Sequence, residues 1–514
     1  LTAIGCTKIS TQTSVAHKGN PWTIHGVFRA ADIAEPDNLN PMVGNQQAEV
    51  DLAMFWGAWM FRVNDRNEWV PELAVEVPTV TNGGISRDGL SITYHLRKGV
   101  KWHDGAPFSA DDVIYSWQQV MNPKNNVGGR VGFDDIARID RKDDYTIVVH
   151  LRAPYAPFIA AFFSFSGTPM CIIPKHLLSQ YADINHVPYN NHPIGTGPFK
   201  VDSYEKGVMI KFVANPDYFR GPPKLKEIDW RFMPDSNTIV TQLQTHELDA
   251  WPEAVAEYLP TLLTIPGITV YRTPFTAYTY LGFNMHRPAL ADKIVRQALA
   301  YAVDRETIRT KVYHGNPIPG NSDQPSFLWA HNPNVKPYPY EPALAAHMLD
   351  TDGWKLGPDG FRYKNGERLQ VQIATTPGGS GAPQLIIVQD WQHIGVDASV
   401  KIYAAPIYFA TYGQGGIVQT GKFDVVFLGW ANGIDPDDST NWMCDQIPPT
   451  GQNTEYFCSH ELDALEKTAL TSYDQKTRRA AYYKIQEILA DEEPAVIMYY
   501  TRRVGAINSD LKNY

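Results

Sequence analysis

Apolar and polar residues alternate along residues 91–97, with Ile92, Tyr94 and Leu96 on one face and Thr93, His95 and Arg97 on the other. A period of two with one apolar face predicts a half-buried strand. Two tight turns follow at Lys98-Gly99 and Asp104-Gly105, where glycine adopts positive φ without a Cβ clash. Ser109 then offers its hydroxyl to the open N–H groups of a helix starting at Ala110, and Val113, Ile114, Trp117 and Val120 give that helix a predicted buried stripe. Glu205-Lys206-Gly207 turns one alternating strand into another. The run YLGFNM at 280–285 leads into a helix whose Ile294, Val295, Ala298, Leu299 and Ala302 share a face, and Asp304 caps the next helix. Residues 369–373 read as a strand, 385–393 as a helix and 400–403 as the next strand, the βαβ pattern of a sheet with helices on its faces. The apolar run 156–165 is broken by Ser164, Ser166, Gly167, Thr168 and Pro169, which leaves a length suited to a buried helix. No run approaches the about 18 apolar residues of a membrane-spanning helix.

These blocks carry a resemblance. Residues 88–113, DGLSITYHLRKGVKWHDGAPFSADDV, closely resemble the extended signature of the family 5 extracellular solute-binding proteins, the peptide- and nickel-binding receptors of ABC importers. IGTGPF at 194–199 followed by ANPDYF at 214–219 is similar to the family's GTGPF and NPDY region. Residues 244–249, with Leu248-Asp249 at their core, resemble the G-E-L-D step, with His246 where glycine is usual. Phe423-Asp424, Gly429-Trp430 and Asp435-Pro436 resemble the FD, GW and DP positions of the second lobe. The resemblance spans most of the chain and implies an α/β, periplasmic-binding-protein-like bilobal fold (type II, cluster C) with an extra inserted subdomain. It divides the chain into a tether at 1–20, a discontinuous lobe I at 21–57, 190–275 and 495–514, an inserted subdomain at 58–189, and lobe II at 276–494. The chain would cross the hinge twice. At 514 residues it exceeds what one hydrophobic core organises, which agrees with several domains.

Composition narrows the partners. The net charge of -10 comes from scattered Asp and Glu, and no Lys/Arg run is present, which argues against nucleic acid and against an anionic membrane surface. The sequence begins at Leu1 without methionine, which predicts that an upstream segment was removed or omitted. LTAIGC at 1–6 is similar to the tail of a bacterial lipoprotein signal, although Ala3 stands where such signals carry leucine, so Cys6 reads either as a lipid-anchor site or as an ordinary N-terminal thiol. Cys444 and Cys458 flank the loop QIPPTGQN, whose turn returns both sulfurs to one place; they are expected to form a disulfide, and related dipeptide receptors place a bond at a similar point. Such a bond suits an exported protein. Cys171 sits in an apolar run and is expected to be a buried free thiol.

By the resemblance, solute is held between two lobes that close on it. Trp430 matches the family's cleft-facing aromatic, and Asn432 and Asp435 follow it on a loop whose polar atoms face the opening. Trp56 and Trp59 follow a Leu39-Asn40-Pro41 segment resembling the family's entry strand and are further cleft candidates. Asn284 could present its amide toward the hinge, and Gly195, Thr196 and Gly197 could approach ligand by backbone. His103 reads as structural, since its block recurs across receptors with unlike ligands. Two charges of the dipeptide receptors are missing. Gly433 stands where they carry an aspartate for the ligand's ammonium group, and no Lys or Arg lies between Arg368 and Lys401, where they carry an arginine for the carboxylate. An unpaired buried charge is costly, so the pattern fits longer peptides bound through their backbone, or an uncharged solute such as an oligosaccharide stacked on Trp430, better than strict dipeptide selection.

An enzyme finds little support. His246-Glu247 lacks the second histidine of H-E-x-x-H, no G-x-S-x-G elbow exists, Gly195-Thr196-Gly197 lacks the third glycine of a dinucleotide loop, and no phosphate-binding G-x-x-x-x-G-K-[ST] is present. The acidic turns at 350–353 and 435–438 lack the further oxygen ligands of a calcium loop, and no C-x-x-C pair suggests zinc. No metal or cofactor is implied. The expectation is a monomeric, extracytoplasmic receptor that passes a di- or oligopeptide, or a similar solute, to the transmembrane subunits of an ABC permease.

Overall fold

The computed structural model describes residues 19–44, 46–166, 170–377 and 381–512. Cys6 and nearly all of the expected tether lie outside them, as do Gly378 and Gly379 of the loop after the strand at 370–375.

One mixed sheet of eleven strands runs through the molecule. From one edge its order is Asp397–Ile402, Gln370–Thr375, Val425–Ala431, Ile268–Phe283, Ala495–Asn508, Ala250–Ala254, Val27–Asp32, Glu227–Phe232, Met209–Ala214 and Phe199–Glu205, with Ile318–Pro319 added against Ala495–Asn508. Two of these strands are long, at 16 and 14 residues, and they pair antiparallel with each other. Their register runs from Ile268 opposite Asn508 to Pro274 opposite Arg502, breaks, and resumes at Tyr278 opposite Tyr500. On one side of the break Ala495–Asn508 also pairs with Ala250–Ala254; on the other, Ile268–Phe283 pairs with Val425–Ala431. Each long strand therefore gives one end to each half of the molecule.

Apolar packing divides at the same place. Leu281, Phe283, Val496 and Met498 join Val295, Leu299 and Trp391 in one core, whereas Val504 and Ala506 pack with Trp251 and Ile239 in another. Residues 58–189 build small sheets of their own, Ser91–His95 with Thr146–Leu151 and Ile136–Asp143, and Phe61–Val63 with Trp69–Pro71. Their side chains nevertheless share one continuous core with Phe28, Phe199, Ile210 and Trp230.

The alternation at 91–97 is the strand Ser91–His95, with Ile92, Tyr94 and Leu96 buried and His95 exposed. Ser109 Oγ accepts from Asp111 N at 3.3 Å, Asp112 Oδ2 accepts from Ser109 N at 3.0 Å, and the helix Ala110–Met121 follows. Its buried stripe is rotated from the predicted one: Val113 and Val120 are buried, but Tyr115 and Ser116 join them while Ile114 and Trp117 are only half-covered. Ser116 belongs inside because its hydroxyl donates to Asp112 O and accepts from Ile173 N. In the helix Lys293–Tyr301 the apolar face holds except at Ile294, which is 40% exposed at the first turn. Asp304 caps the next helix by accepting from Thr307 N at 2.9 Å. Gln370–Thr375, the helix Ala382–His393 and Asp397–Ile402 make the expected parallel βαβ unit. The apolar run 156–165 differs, giving only the short helix Phe158–Ala161 before the chain turns at Phe163, whose φ is +47°. Cys444 and Cys458 are bonded, and Cys171 is a buried free thiol that burial pushes up to about 12.

The signature block and the GTGPF motif are one structural unit. His103 N donates to Gly195 O at 2.9 Å, Gly195 N donates to His103 Nδ1 at 3.1 Å, and His103 Nε2 lies 3.1 Å from Gly197 O. That pattern requires the neutral tautomer protonated at Nε2, and burial, which lowers the imidazole to about 4, keeps it neutral. The turn so held lies against the backbone of Trp56: Gly197 N donates to Trp56 O at 2.9 Å, and a Cβ on residue 195 would stand 1.8 Å from that oxygen. Gly195→Ala is thus expected to destabilise the first lobe by about 2–3 kcal/mol through backbone displacement, read as a lower midpoint in urea unfolding; an unchanged midpoint would remove the close approach as a constraint.

Two buried carboxyls of the second lobe set a pH dependence. Burial raises Glu455 to about 7 and Glu493 to about 8, so the folded state holds these protons more tightly than the unfolded state does. Their contribution is full below the unfolded carboxylate range and declines as pH rises through the folded values. Thermal stability is expected to fall between about pH 5 and pH 8, and Glu455→Gln to flatten that slope; melting curves with the same slope in the variant would remove Glu455 from this role.

Candidate functional site

The strand Val425–Ala431 lies between Gln370–Thr375 and Ile268–Phe283, so it reaches the cleft beside the register break, with Trp430 paired opposite the buried Tyr278. Beyond the strand the loop is fastened from behind. Asn432 N donates to Thr276 O at 2.6 Å and Asn432 Nδ2 to Asp323 O at 2.8 Å, leaving the buried Oδ1 without a partner among the described residues. Asp435 accepts two bonds from Arg478, at 2.6 and 2.8 Å, and Arg478 in turn lies over the Trp329 ring. Such a bidentate pair fixes the loop in orientation as well as position.

Behind this loop stand three more carboxyls, Asp323, Asp438 and Glu466, all at most 2% exposed. Burial raises each of them, and for Asp438 the neighbouring Asp323 adds to it. Trp442 Nε1 donates to Asp323 at 3.1 Å and Gln324 Nε2 to Asp438 at 2.9 Å. Asp437 faces the other way. Its carboxylate accepts from the Tyr155 hydroxyl at 2.7 Å and from the Ser439 hydroxyl at 2.7 Å, and burial raises it above the ordinary carboxylate range.

Tyr155 belongs to residues 58–189, so its bond to Asp437 joins the two halves across the cleft. Ser166 Oγ accepts from Ile434 N at 3.0 Å, Ala156 N donates to Leu470 O at 2.7 Å, and the Tyr473 hydroxyl lies 3.2 Å from Gly89 O and Tyr155 O. Between these ties lies a cavity of about 550 Å³, walled by Phe133, Tyr155 and Met170 on one side and by Trp430, Asn432 and Asp437 on the other. A second space of about 370 Å³ touches the same strand at Phe427 and Gly429 and is bounded by Val255, Glu257, Thr375, Gln384 and Tyr499.

Of the nine residues singled out as ligand contacts, Trp430, Asn432 and Asp435 come together on the larger cavity. The others do not join them. Trp56 and Trp59 are fully buried, Trp56 edge-on to Tyr189 and Trp59 edge-on to Phe165, because they fill the first-lobe core rather than its surface. Gly195, Thr196 and Gly197 form the turn clamped by His103 under Trp56, with Thr196 only 3% exposed. Asn284 is 1% exposed and donates to Gly421 O and Phe423 O, tying a strand end rather than facing the hinge opening. Asp435 reaches the cavity with its charge already matched by Arg478. Tyr155, Phe133 and Met170 carried no local signal, since nothing near them in sequence resembles a binding motif; Asp437 was visible only as part of an acidic turn.

Comparison with known proteins places this geometry. The family described as bacterial extracellular solute-binding proteins, family 5 Middle, matches residues 68–448. The oligopeptide-binding protein AppA of Bacillus subtilis is 26% identical over an alignment covering 100% of this chain and 93% of that protein. The dipeptide-binding protein of Escherichia coli is 28% identical, covering 84% and 82%. Among solved structures, NikZ from Campylobacter jejuni in complex with Ni(L-His) superposes with a TM-score of 0.80 at 26% identity, covering 96% of each chain. The chain belongs to the bacterial extracellular solute-binding proteins of family 5.

Proposed function

We propose that this chain captures a peptide outside the cytoplasmic membrane and delivers it to the transmembrane subunits of an ABC importer. One observation carries the reading: the 550 Å³ cavity is walled by both lobes, so its occupant is enclosed only when the lobes meet. Tyr155–Asp437 and Ser166–Ile434 are then contacts of the shut form, and an occupant touching both walls favours that form by its differential affinity for it. Relatives named for oligopeptides and dipeptides support a peptide as the solute. Lobe I would comprise residues 21–57, 190–275 and 495–514 with the insertion at 58–189, and lobe II residues 276–494. The protein would act as a monomer, held near its permease by a lipid on Cys6 where that residue is processed. The same walls offer an oligosaccharide the Trp430 face, which makes sugar the rival occupant.

Mass spectrometry of solute released from the native protein tests the class directly. Peptides are expected; a glycan would overturn the peptide reading and leave the receptor standing. Trp430→Ala is expected to weaken the released ligand by roughly 1–2 kcal/mol, a five- to thirty-fold rise in Kd by calorimetry, as a truncated aromatic anchor does. Unchanged affinity would take Trp430 out of the site.

A further inference from the structure

The loop 445–457 contributes Thr450, Gly451 and Gln452 to the wall of the larger cavity and is clasped at its base by the Cys444–Cys458 bond. More than the bond is gathered there. Among the described residues, Cys444, Cys458 and His460 bring their ligand atoms within 4.8 Å of one another, and none of the three lines either space of the cleft. His460 Nδ1 stands 3.9 Å from Cys444 Sγ and 3.7 Å from Asp463 Oδ2. His460 and Asp463 are neighbours because they lie three residues apart on the first turn of the helix His460–Thr471. The spacing contains no C-x-x-C pair, so no short motif marks the group.

Hydrogen bonds hold these residues together independently of the S–S bond. Asn453, fully buried, donates through Nδ2 to Met443 O at 3.0 Å and to Phe457 O at 2.7 Å, the residues immediately before the two cysteines. Its Oδ1 accepts from Phe457 N at 3.1 Å. Cys444 N donates to Asp463 Oδ1 at 3.0 Å, which sets the carboxylate beside the first cysteine with Oδ2 toward His460. Opening the disulfide therefore leaves two thiols, an imidazole and a carboxylate side by side. The group is also accessible: Cys458 is exposed, and the His460 side chain is 92% exposed.

Two thiolates, an imidazole and a carboxylate suit a tetrahedral ion of borderline softness such as Zn²⁺. Bonds of about 2.0–2.3 Å place neighbouring ligand atoms about 3.3–3.8 Å apart around such an ion. The separations of 3.9 and 3.7 Å at His460 Nδ1 are already near that spacing, and the two sulfurs need only part to match it. While bonded to each other, the sulfurs are not the thiolates a metal requires.

We propose that Cys444, Cys458, His460 and Asp463 form a redox-gated site for one divalent cation of the zinc class, closed while the cysteines are a disulfide and opened by their reduction. A dithiol reductant supplies the two electrons. Its thiolate attacks the exposed Cys458 sulfur, Cys444 leaves as a thiolate beside the His460 imidazole, and the second thiol of the reductant resolves the mixed disulfide. The reductant departs as a cyclic disulfide, and its two protons end on the cysteines. One cation then binds both sulfurs and displaces those protons to solvent. Either the S–S bond or the metal clasps the loop 445–457, so the cavity wall at 450–452 is held in both redox states and loosens when the chain is reduced and metal-free.

The test uses the full chain carrying Cys6→Ser, oxidised or reduced with a dithiol that is then removed without oxygen, with Co²⁺ and Zn²⁺ alone as probes. The reduced chain is expected to take up one equivalent of Co²⁺ with the near-ultraviolet charge-transfer band of thiolate ligation, and one equivalent of Zn²⁺ to abolish that band. The oxidised chain is expected to bind at least about a hundred-fold more weakly and without the band. His460→Ala removes an exposed side chain, so the variant is expected to fold like the parent and to bind Co²⁺ at least about ten-fold more weakly. No band in the reduced chain would overturn the site, and the same band in the oxidised chain would overturn the gating. Unchanged affinity in His460→Ala would overturn the four-ligand assignment. Amide hydrogen exchange across 445–457 is expected to be slow in the oxidised and zinc-loaded chains and at least about five-fold faster in the reduced, metal-free one; equal exchange in all three would overturn the clasp on the cavity wall.

Discussion

Everything in this molecule depends on one pair of strands belonging to both lobes. Ile268–Phe283 and Ala495–Asn508 run antiparallel through the middle of the sheet, and their hydrogen-bonded register is interrupted between Pro274 and Tyr278 and shifts once more between Thr279 and Tyr280. Backbone pairing on each side anchors the strands in separate apolar cores, and the irregular pairing at 274–280 lies between them. A hinge of this kind permits rotation without unfolding, because no core has to open. It also fixes where the cleft must be, since the strand carrying Trp430 pairs with Ile268–Phe283 immediately beside the break.

Rigidity on the second-lobe wall complements that freedom. The loop after Trp430 is held by Arg478 through Asp435, by Asp323 O through Asn432, and by Gln324 through Asp438. Burying several carboxyls with a single guanidinium is unfavourable unless most stay protonated, and burial drives Asp323, Asp438 and Glu466 in that direction. The outcome is a binding surface whose side chains are placed before any ligand arrives, which reduces the ordering cost of capture. Opposite it, Tyr155 and Ser166 make few, individually modest hydrogen bonds across the cleft.

Much of the fold was legible because it is written in local periodicity. The strand at Ser91–His95, the capped helix after Ser109 and the parallel unit around Ala382–His393 each follow from alternation, turn glycines or helical spacing. Tryptophan positions were harder, for a physical reason. Trp56, Trp59 and Trp430 all adjoin or lie near glycine in sequence, yet the first two are sealed by Tyr189 and Phe165, brought from more than a hundred residues away. Whether an aromatic fills a core or faces a cleft is decided by such distant partners. The same holds for Tyr155, which meets Asp437 across a separation of 282 residues. Glycines at 195 and 197 illustrate the opposite case: the need for a bare backbone was visible, but its cause, the Trp56 carbonyl rather than a ligand, was not.

The central claim is that two lobes joined by this strand pair shut on a solute neither wall retains alone. Small-angle X-ray scattering on the stripped protein, recorded while a peptide pool is titrated to calorimetric saturation, tests it most directly. The account predicts that the radius of gyration contracts in proportion to the heat released and stops contracting when the heat does. Saturating heat with an unchanged scattering profile would contradict it.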